Sequence, residues 1–340
     1  MDAVLMLLNK KLIQSTKYET FQLDLASGKM GICIYFYILS RNDQSLEYKN
    51  IAEKLLDEVF ESIGQVTTID VKSGLSGIGL GIDYLIENNY VKGNINIILN
   101  DVDDIVFKNL LSSKYHDAVD LLSLNQILYY LCIRLEKQKK NSEQEYLFRE
   151  LIIQTINNLY KRIDLKFYEE PYTYNIDYSL PQFLFVLSKI YNLDFYNYRL
   201  IKIIEELSYK ILSTIPLLHS NRLYLLWAIV ILNEQIKYTS WTKHIELLRG
   251  QIDLKRIINS EIRNKNIYVS NGLSSIYYFI HYLSDYFNQE ELELIRSQID
   301  SKVKSSDAWI LLRDNTEYFN VHQGLFSGFP GVYALLCELN

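Results

Sequence analysis

Two groups of side chains with metal-binding or acid–base chemistry stand just before apolar stretches of the chain. His116, Asp117 and Asp120 precede one stretch, and His322 with Gln323 precede another. Imidazoles and carboxylates are common metal ligands, so these groups would form a metal site if the fold brought them together. Nothing in the sequence fixes their mutual distance, and surface positions are the simpler interpretation.

A third polar segment reads YEEPYTYNIDYS. It gathers carboxylates and phenols, namely Glu169, Glu170, Tyr172, Tyr174, Asp177 and Tyr178. Tyrosines bury a large area at low entropy cost and keep a polar tip, so this loop suits a peptide groove. The alternative is a solvated acidic loop in a chain that contains 28 tyrosines.

Motifs of several enzyme classes are missing from the sequence. It has no glycine-rich phosphate loop with a lysine, no nucleophile elbow and no paired-cysteine site, which argues against kinases and hydrolases. Cys33, Cys132 and Cys337 each lie in an apolar run. They are predicted to be reduced thiols in the core.

The elements that must position these residues follow from an internal repeat. A small residue, two spacers and a second small residue open an apolar helical run. Clear copies are SGKMGICIYFYIL from Ser27, SGLSGIGLGIDYL from Ser73 and SGFPGVYALLCEL from Ser327; NGLSSIYYFIHYL from Asn271 is a fourth, and weaker copies begin at Ser123, Ser179 and Asn221. The first small positions are residues 28, 74, 123, 179, 221, 272 and 328, and each step has room for one helix pair.

Amphipathic segments between the motifs supply the second helix of each pair. One apolar face comprises Ile51, Leu55, Leu56, Val59, Phe60 and Ile63; another comprises Leu200, Ile204, Leu207, Ile211 and Ile215. The motif helices are apolar nearly all round, which predicts that an outer layer covers them.

The small residues at the motif starts have a structural interpretation. Glycine permits positive φ and close backbone approach, so the helix starts are expected to crowd around one axis. Their free N–H groups would then face a common cavity. The alternative is that each glycine only allows tight helix packing.

Composition narrows the class of protein. Apolar residues make up 49% and charged residues 22%, which favours a large core. The net charge of −6, without a basic stripe, argues against nucleic acid as a partner. The start MDAVLMLLNKK indicates neither a signal peptide nor an anchor, and no run reaches the ~18 apolar residues of a membrane helix. We therefore expect a cytoplasmic protein with a single domain, residues 1–340.

The seven-fold repeat of Gly-x-x-Gly-type helices that ends in SGFPGVYALL resembles the lanthionine synthetase C-like family, over the whole chain. The resemblance implies an all-α fold, an α/α toroid of seven helix pairs whose inner ring is opened by the motifs. It also implies a central cavity for a ribosomally made precursor peptide. In the family's cyclases, zinc activates a peptide cysteine thiol, which adds to a dehydrated Ser or Thr to close a thioether ring.

The family's zinc ligands are mostly replaced here. They come from a Trp-Cys-x-Gly motif in the fifth repeat and a Cys-His-Gly motif in the sixth. The sixth repeat here reads Ser270-Asn271-Gly272, and the fifth reads Leu218-His219-Ser220-Asn221, which puts His219 in the place of the cysteine. Neutral hydroxyl and amide groups are poor substitutes for thiolate and imidazole, so we predict no bound metal and no other cofactor.

Tyr178 stands where the resemblance would place the family's acid–base histidine. A phenol with an ordinary pKa near 10 can donate a proton but is a poor base at neutral pH. The alternative is that Tyr178 only fills the space that the metal and the histidine occupy in the family's cyclases. The catalytic candidates are thus Tyr178 and His219, and the candidates for peptide binding are Ser220, Asn221, Ser270, Asn271, Tyr174 and Asp177.

Three functions remain open from the sequence. The chain is a divergent enzyme of peptide maturation that acts on a dehydrated precursor without zinc, or a non-catalytic relative that binds the precursor or a partner enzyme. The third is a glycan-processing α/α toroid with Asp117, Asp120 or Asp177 as acids. The expected partners are a precursor peptide and a dehydratase, with no nucleic acid and no membrane span.

Overall fold

The computed structural model describes residues 2–17, 21–112, 115 and 118–339, and these residues form helices, turns and loops without a strand. The chain divides into two compact units. The terminal unit comprises Met1–Lys92 and Lys255–Asn340, and the middle unit comprises Gly93–Leu254. The single domain expected from the sequence stays a prediction.

The α-helices, in chain order, are α1 Asp2–Ser15, α2 Lys29–Asn42, α3 Leu46–Ser62, α4 Leu75–Glu87, α5 Ile95–Ile98, α6 Asn100–Leu110, α7 Leu121–Glu136, α8 Glu143–Arg162, α9 Ser179–Asn192, α10 Asn197–Leu212, α11 His219–Ile236, α12 Thr239–Gly250, α13 Leu254–Arg256, α14 Leu273–Tyr282, α15 Gln289–Lys304, α16 Asp307–Asp314, α17 Thr316–Val321 and α18 Phe329–Leu339. Short 3-10 helices lie at Ile63–Gln65, Leu165–Tyr168 and Ser284–Tyr286, and a π-helical turn lies at Ile257–Glu261. None of these helices is long and apolar enough to cross a bilayer.

In the terminal unit, the motif helices α2, α4, α14 and α18 each begin directly after a glycine. Helix α2 packs against α4 and α18, and α18 packs against α14. Helix α3 covers α2, and α15 covers α14. Residues 30–39 of α2 are all buried, as the apolar sequence of this helix predicted.

In the middle unit, the motif helices are α7, α9 and α11. Helix α9 packs between α7 and α11, while α8 covers α7 and α12 covers α11. These helices carry no glycine at the motif position. Ser123, Ser179 and Asn221 stand there instead, inside the first turn of their helices. The repeat therefore located helix starts in both units.

The amphipathic faces are confirmed except near two helix ends. In α3, Leu55, Leu56 and Val59 are buried, but Phe60 in the last turns is 41% exposed. Ile215 is also 41% exposed, because it lies beyond the end of α10 and the helical period no longer applies there.

The three cysteines are free thiols. Cys33 and Cys132 are fully buried, and burial raises the pKa of both thiols well above the ordinary value. Cys337 is half-buried. Because a thiol with a raised pKa is a weak nucleophile, Cys33 and Cys132 act as core side chains.

Candidate functional site

Each of the four glycines that directly precede a motif helix of the terminal unit touches the loop before that helix. A side-chain carbon added to Gly74 would lie 2.6 Å from the carbonyl oxygen of Thr68, and one added to Gly272 would lie 2.4 Å from that of Asn266. No glycine among the described residues has a positive φ. Of the two properties of glycine considered from the sequence, these positions use close backbone approach and not positive φ, because the backbone of the preceding loop leaves no room for a side chain.

The same loops satisfy the N–H groups of the helix starts. The N–H groups that follow the glycines bond to loop carbonyls: Lys29 N to Gln22 O at 2.9 Å, Leu75 N to Thr68 O at 2.9 Å, Leu273 N to Asn266 O at 3.1 Å and Phe329 N to His322 O at 3.2 Å. In α2 the next two N–H groups bond to Leu23 and Asp24 in the same way. These N–H groups do not face an open cavity, which corrects the expectation of free helix ends in the terminal unit.

Backbone hydrogen bonds tie the four loops of the terminal unit into one layer. Ala26 N donates to Lys72 O at 3.2 Å, Phe326 N donates to Ala26 O at 3.2 Å, and Ser270 N donates to Phe326 O at 2.8 Å. All four residues stand two positions before a motif glycine. The polar residues between them and the glycines are Ser27, Ser73, Asn271 and Ser327.

Two predicted peptide-binding residues, Ser270 and Asn271, lie in this layer. The Ser270 hydroxyl accepts a hydrogen bond from the Ser327 hydroxyl at 3.1 Å. Asn271 is half-buried, and its side-chain oxygen is buried without a hydrogen-bond partner among the described residues. Because this oxygen is enclosed by protein atoms, contact between Asn271 and a peptide stays a prediction.

His322 belongs to the same layer. Its Nδ1 lies 2.5 Å from the carbonyl oxygen of Ser327, and because a carbonyl only accepts, Nδ1 carries the proton. The imidazole stacks on the Tyr268 ring at 4.3 Å and contacts the Tyr318 ring at 4.2 Å. Burial lowers the pKa of His322 against the opposing effect of the Ser327 hydrogen bond. The ring is therefore neutral near pH 7.

In the middle unit, Glu170 holds the start of α11. Its carboxylate accepts hydrogen bonds from Leu217 N at 2.5 Å, Leu218 N at 2.8 Å and the Asn221 amide at 2.9 Å. Leu218, at the N-cap position, has no side chain that can cap the helix. Glu170 supplies the missing acceptor from a distant loop, which sequence reasoning missed.

Tyr178, predicted as catalytic, is 2% exposed at the start of α9. Its hydroxyl donates to the carbonyl oxygen of Tyr168 over 3.4 Å. Burial, and then the negative charge of Glu170, raise the pKa of the phenol well above its ordinary value. Tyr178 therefore holds its proton more tightly than a free tyrosine.

The remaining predicted residues of this loop are Tyr174 and Asp177. Tyr174 is 3% exposed, and Asp177 is half-buried with its backbone N–H bonded to Asn175 Oδ1 at 2.9 Å. The loop is thus folded against the middle unit. Contact of either side chain with a peptide stays a prediction.

His219, Ser220 and Asn221 open α11. His219 Nδ1 accepts the N–H of Asp253 at 3.0 Å, so Nε2 carries the proton of the neutral ring. Ser220 and Asn221 are fully buried. In this arrangement they support the helix start, and their predicted peptide contacts stay a prediction.

Of the three acids that a glycan-processing enzyme would use, one is a helix cap and one lies outside the described residues. Asp117, with its neighbour His116, lies outside the described residues. Asp120 caps α7, accepting from Ser123 N at 2.9 Å and from Ser123 Oγ at 2.7 Å. Burial raises the pKa of Asp120, but the Ser123 hydrogen bonds outweigh it and leave the pKa below the ordinary value. Asp120 is thus a helix cap and a poor general acid.

The middle unit also presents a row of aromatic and amide side chains that sequence reasoning missed. Gln126 Nε2 donates to Gln182 Oε1 at 3.2 Å, on α7 and α9. One turn further along, the Phe185 ring stacks on Trp227 at 5.1 Å and contacts Tyr129 at 5.7 Å. We call these five residues the aromatic row. Its aromatic members all stand six positions after the motif position, a register that the sequence already shows.

Comparison with solved structures shows a likeness in fold. The chain is similar to a structure named nisin cyclase, with a TM-score of 0.72 over 99% of this chain and 94% of that chain, at 12% sequence identity. No protein-family model and no curated protein matches the sequence.

The fold class is the α/α toroid. This confirms the prediction of an all-α fold from the repeat. Because the identity is only 12%, the likeness shows the fold and leaves the activity to be argued from the side chains.

The zinc ion that the resemblance implies does not fit the residues at the corresponding positions. The Nδ1 lone pair of His219 is engaged by the Asp253 N–H. Ser270 and Asn271 offer a neutral hydroxyl and a neutral amide, which bind zinc poorly. Over the part of the chain that the structure describes, no three His, Cys, Asp or Glu side chains are placed to hold a metal ion.

Proposed function

We propose that this toroid is a lanthionine synthetase C-like protein of ribosomal peptide maturation that binds a dehydrated precursor peptide and uses no zinc. The observation that carries the proposal is the likeness to nisin cyclase over 99% of the chain. The fold matches over that length, but other residues stand at the zinc positions. This combination suits a protein that binds the peptide without metal-assisted activation of its thiol.

The aromatic row supports the binding of a peptide. Tyr129 and Phe185 are half-buried, so part of each ring surface is accessible. Aromatic faces beside amide groups offer both apolar area and hydrogen bonds to an extended backbone. The half-buried Asn271 of the terminal unit is a separate candidate for contact with a peptide.

Two observations favour binding over catalysis. The Tyr178 phenol donates to a backbone carbonyl, and its pKa is raised, so it is a weaker acid than an ordinary tyrosine. His219 uses Nδ1 as an acceptor for a structural hydrogen bond. In these hydrogen bonds, the Tyr178 hydroxyl and the His219 imidazole stabilise the loops, and this role competes with proton transfer.

Metal-free ring closure is the second candidate, because the Asp253 hydrogen bond fixes one tautomer of His219. Nε2 then carries a proton that points away from that bond, and thioether formation ends in the protonation of an enolate. In this candidate function, His219 and Tyr178 are the proton donors.

Calorimetry with the full chain tests the proposal. The ligand is a Cys-, Ser- and Thr-rich precursor peptide from the same gene neighbourhood, dehydrated by its dehydratase. We expect saturable binding that Phe185→Leu and Asn271→Leu each weaken about tenfold, since each removes a contact worth about 1–2 kcal/mol. Tyr172→Phe, at a fully exposed position of the loop, is the control and should bind as the wild type does.

Mass spectrometry after alkylation of the free thiols distinguishes binding from ring closure, because a cysteine that has formed a thioether no longer takes up the reagent. Binding without any loss of free thiol supports the binding protein. Ring formation in metal-free buffer that is lost in His219→Ala and Tyr178→Phe would establish the enzyme instead. Undetectable affinity in the wild type refutes both.

A further inference from the structure

Helix α9 of the middle unit is buried except along one line of side chains. Between Leu180 and Ile190, Gln182, Phe185 and Lys189 are half-buried and every other residue is buried. Steps of three and four residues place these three side chains on the same side of the helix. An amide, an aromatic ring and an ammonium group thus follow one another along its accessible side. We call these three residues the α9 stripe.

The neighbouring helix α7 has the same pattern with an apolar residue in place of the lysine. Within residues 124–135, the half-buried side chains are Gln126, Tyr129 and Ile133. Gln126 Nε2 lies 3.2 Å from the amide oxygen of the α9 stripe, and the Tyr129 ring centre lies 5.7 Å from that of its phenylalanine. Ile133 stands seven residues after Gln126, as the lysine stands seven after the glutamine in α9. The position on α7 that corresponds to the lysine is therefore uncharged.

Lys189 carries the charge of the α9 stripe. Its Nζ lies 5.6 Å from the centre of the Phe185 ring, within the range of a cation–π contact. Burial raises the pKa of Cys132, Glu136 adds to the rise and Lys189 opposes it, so both charged groups lie near this α7 thiol. Glu136 is exposed, however, and within the described structure it forms no ion pair with Lys189. A cation held at an aromatic ring without a carboxylate partner favours a ligand that supplies one.

The spacing along the α9 stripe matches that of an extended peptide. Lys189 follows Phe185 by four helical residues, a rise of about 6 Å. In an extended chain, the side chains of residues i and i+2 point to the same side and lie about 6.6 Å apart, whereas those of neighbouring residues point to opposite sides. Two side chains separated by one residue can therefore reach the ring and the ammonium group together.

We propose that the α9 stripe binds a peptide segment in which an aromatic or large apolar side chain and an acidic side chain are separated by one residue. The apolar side chain lies on the Phe185 ring, and the carboxylate pairs with Lys189. Tyr129 and Ile133 of α7 add uncharged surface beside them. The identification of the ligand as the precursor peptide rests on the proposed function; the preference for an acidic side chain does not.

Blocked pentapeptides without terminal charges test the preference by calorimetry on the full chain. The probes are Gly-Phe-Gly-Glu-Gly and Gly-Glu-Gly-Phe-Gly, because either chain direction fits the spacing, and their counterparts with Gln in place of Glu. We expect the tighter Glu probe to bind at least about threefold more tightly than its Gln counterpart at low ionic strength. At about 0.5 M salt the preference should shrink, because salt screens the ion pair.

Two further probes test the spacing and the source of the carboxylate. In blocked Gly-Phe-Glu-Gly-Gly the two side chains are adjacent, so this probe should bind no more tightly than the Gln peptides. Acetyl-Gly-Gly-Phe with a free carboxyl terminus carries its charge on the backbone instead of a side chain. It should also bind more weakly than the tighter Glu probe.

Variants locate the site. Lys189→Gln should remove the preference for Glu over Gln while both peptides still bind. Lys189 lies in the last turn of α9, where a cation also stabilises the helix carbonyls, but a purely structural role would change stability and not the preference. Lys202→Gln is the matched control and should keep the preference, because Lys202 lies over the exposed Tyr198 ring of α10 at 4.4 Å.

The proposal is overturned if the Glu probes show no preference over the Gln probes, or if the adjacent or free-terminus probe binds as tightly as the tighter Glu probe. It is also overturned if a folded Lys189→Gln variant keeps the preference, or if neither Glu probe binds detectably at about 1 mM. Should Lys189→Gln unfold, as circular dichroism would report, the spacing and salt dependence measured on the wild type decide the question.

The outcomes also separate this site from the proposed function. A preference that depends on Lys189, without binding of the precursor, counts against the proposed function alone. Binding of the precursor without the preference counts against the α9 stripe alone.

Discussion

Glu170 accepts two backbone N–H groups and one side-chain amide at the start of α11, in a helix whose own N-cap residue is a leucine. Glu170→Ala should therefore lower the free energy of unfolding by about 1–2 kcal/mol, because helix N–H groups lose their acceptor. Glu170→Gln keeps an acceptor but loses the negative charge at the helix start, and should cost about 0.5–1 kcal/mol.

Urea denaturation measures both variants. Glu169→Ala, at an exposed neighbouring position, is the control and should change the free energy of unfolding by less than about 0.5 kcal/mol. Equal effects at Glu169 and Glu170 would show that the carboxylate of Glu170 does not cap α11.

His244 makes the stability sensitive to acid. It is 5% exposed on α12, and burial lowers its pKa despite a hydrogen bond to the backbone of Thr214. As pH falls below about 6.5, the unfolded chain takes up this proton before the folded chain does. Stability that is present above that pH is therefore lost as pH falls, by at most about 1.4 kcal/mol per pH unit for one proton. His322, with its lowered pKa, contributes in the same direction.

Denaturation between pH 7 and pH 5 checks this. His244→Gln cannot take up the proton, so its free energy of unfolding should fall less over that range than that of the wild type. His281→Gln, at an exposed position, is the control and should fall as much as the wild type. A wild-type curve that is flat over this range would contradict the prediction.

Metal content is the third prediction at the residue scale. Since Ser270 and Asn271 are poor zinc donors and His219 Nδ1 is already engaged, protein purified without chelator should carry far less than one zinc per chain by elemental analysis. Stoichiometric zinc that disappears in His219→Ala would show that these residues form a site after all.

At the scale of elements, the glycine before each motif helix of the terminal unit lets the loop fold back on the helix. Gly74→Ala places a methyl group against the Thr68 carbonyl, which must move and release its bond from Leu75 N. We expect a loss of about 2–4 kcal/mol.

The matched control is Gly64→Ala, in the 3-10 helix Ile63–Gln65, where an added carbon meets nothing within 4 Å. This variant should be neutral or more stable by up to about 1 kcal/mol, because alanine restricts the unfolded chain. Thermal and urea denaturation of the pair give the comparison. Similar losses in both would mean that the glycines matter only as flexible residues.

The helices could be predicted from the sequence because each depends on a local pattern. The motif SGFPG predicts the start of α18. Pro181, in a weak copy of the repeat, aligns with Pro330 in a clear copy, and both lie in the first turn of a helix, where proline is tolerated. The loop contacts could not be predicted in this way. Glu170 reaches residues in the next repeat, and His219 meets the backbone of Asp253, so both depend on how whole elements pack.

The expectation that the N–H groups of the helix starts face a common cavity was wrong for the terminal unit, for a related reason. Periodicity locates where a helix begins but does not say which carbonyls its first N–H groups meet. In α2, the partners of those groups are Gln22, Leu23 and Asp24, in a loop without a regular pattern. The aromatic row was readable in principle, since Tyr129, Phe185 and Trp227 share one register of the repeat.

At the scale of the whole molecule, the terminal unit depends on its last helix. Helix α18 packs against both α2 and α14. Deletion of residues 329–339 should therefore remove more helix than those residues contain, because α2 and α14 lose the apolar surface that covers them. Circular dichroism at 222 nm measures the loss. A decrease that matches only the deleted residues would show that α2 and α14 are stable without α18.

The terminal unit is built from two segments that are far apart in the sequence, so its two parts are synthesised at different times. A ribosome releases Met1–Lys92 first, then the whole of the middle unit, and α18 last. At about 5–20 residues per second, α2 and α4 wait roughly 12–50 s for their partners. Both helices are apolar nearly all round. In the growing chain they therefore expose apolar surface that a chaperone would bind and through which neighbouring nascent chains could aggregate. Expression yield should thus depend on chaperone capacity more steeply for this protein than for one whose first-made segment folds alone.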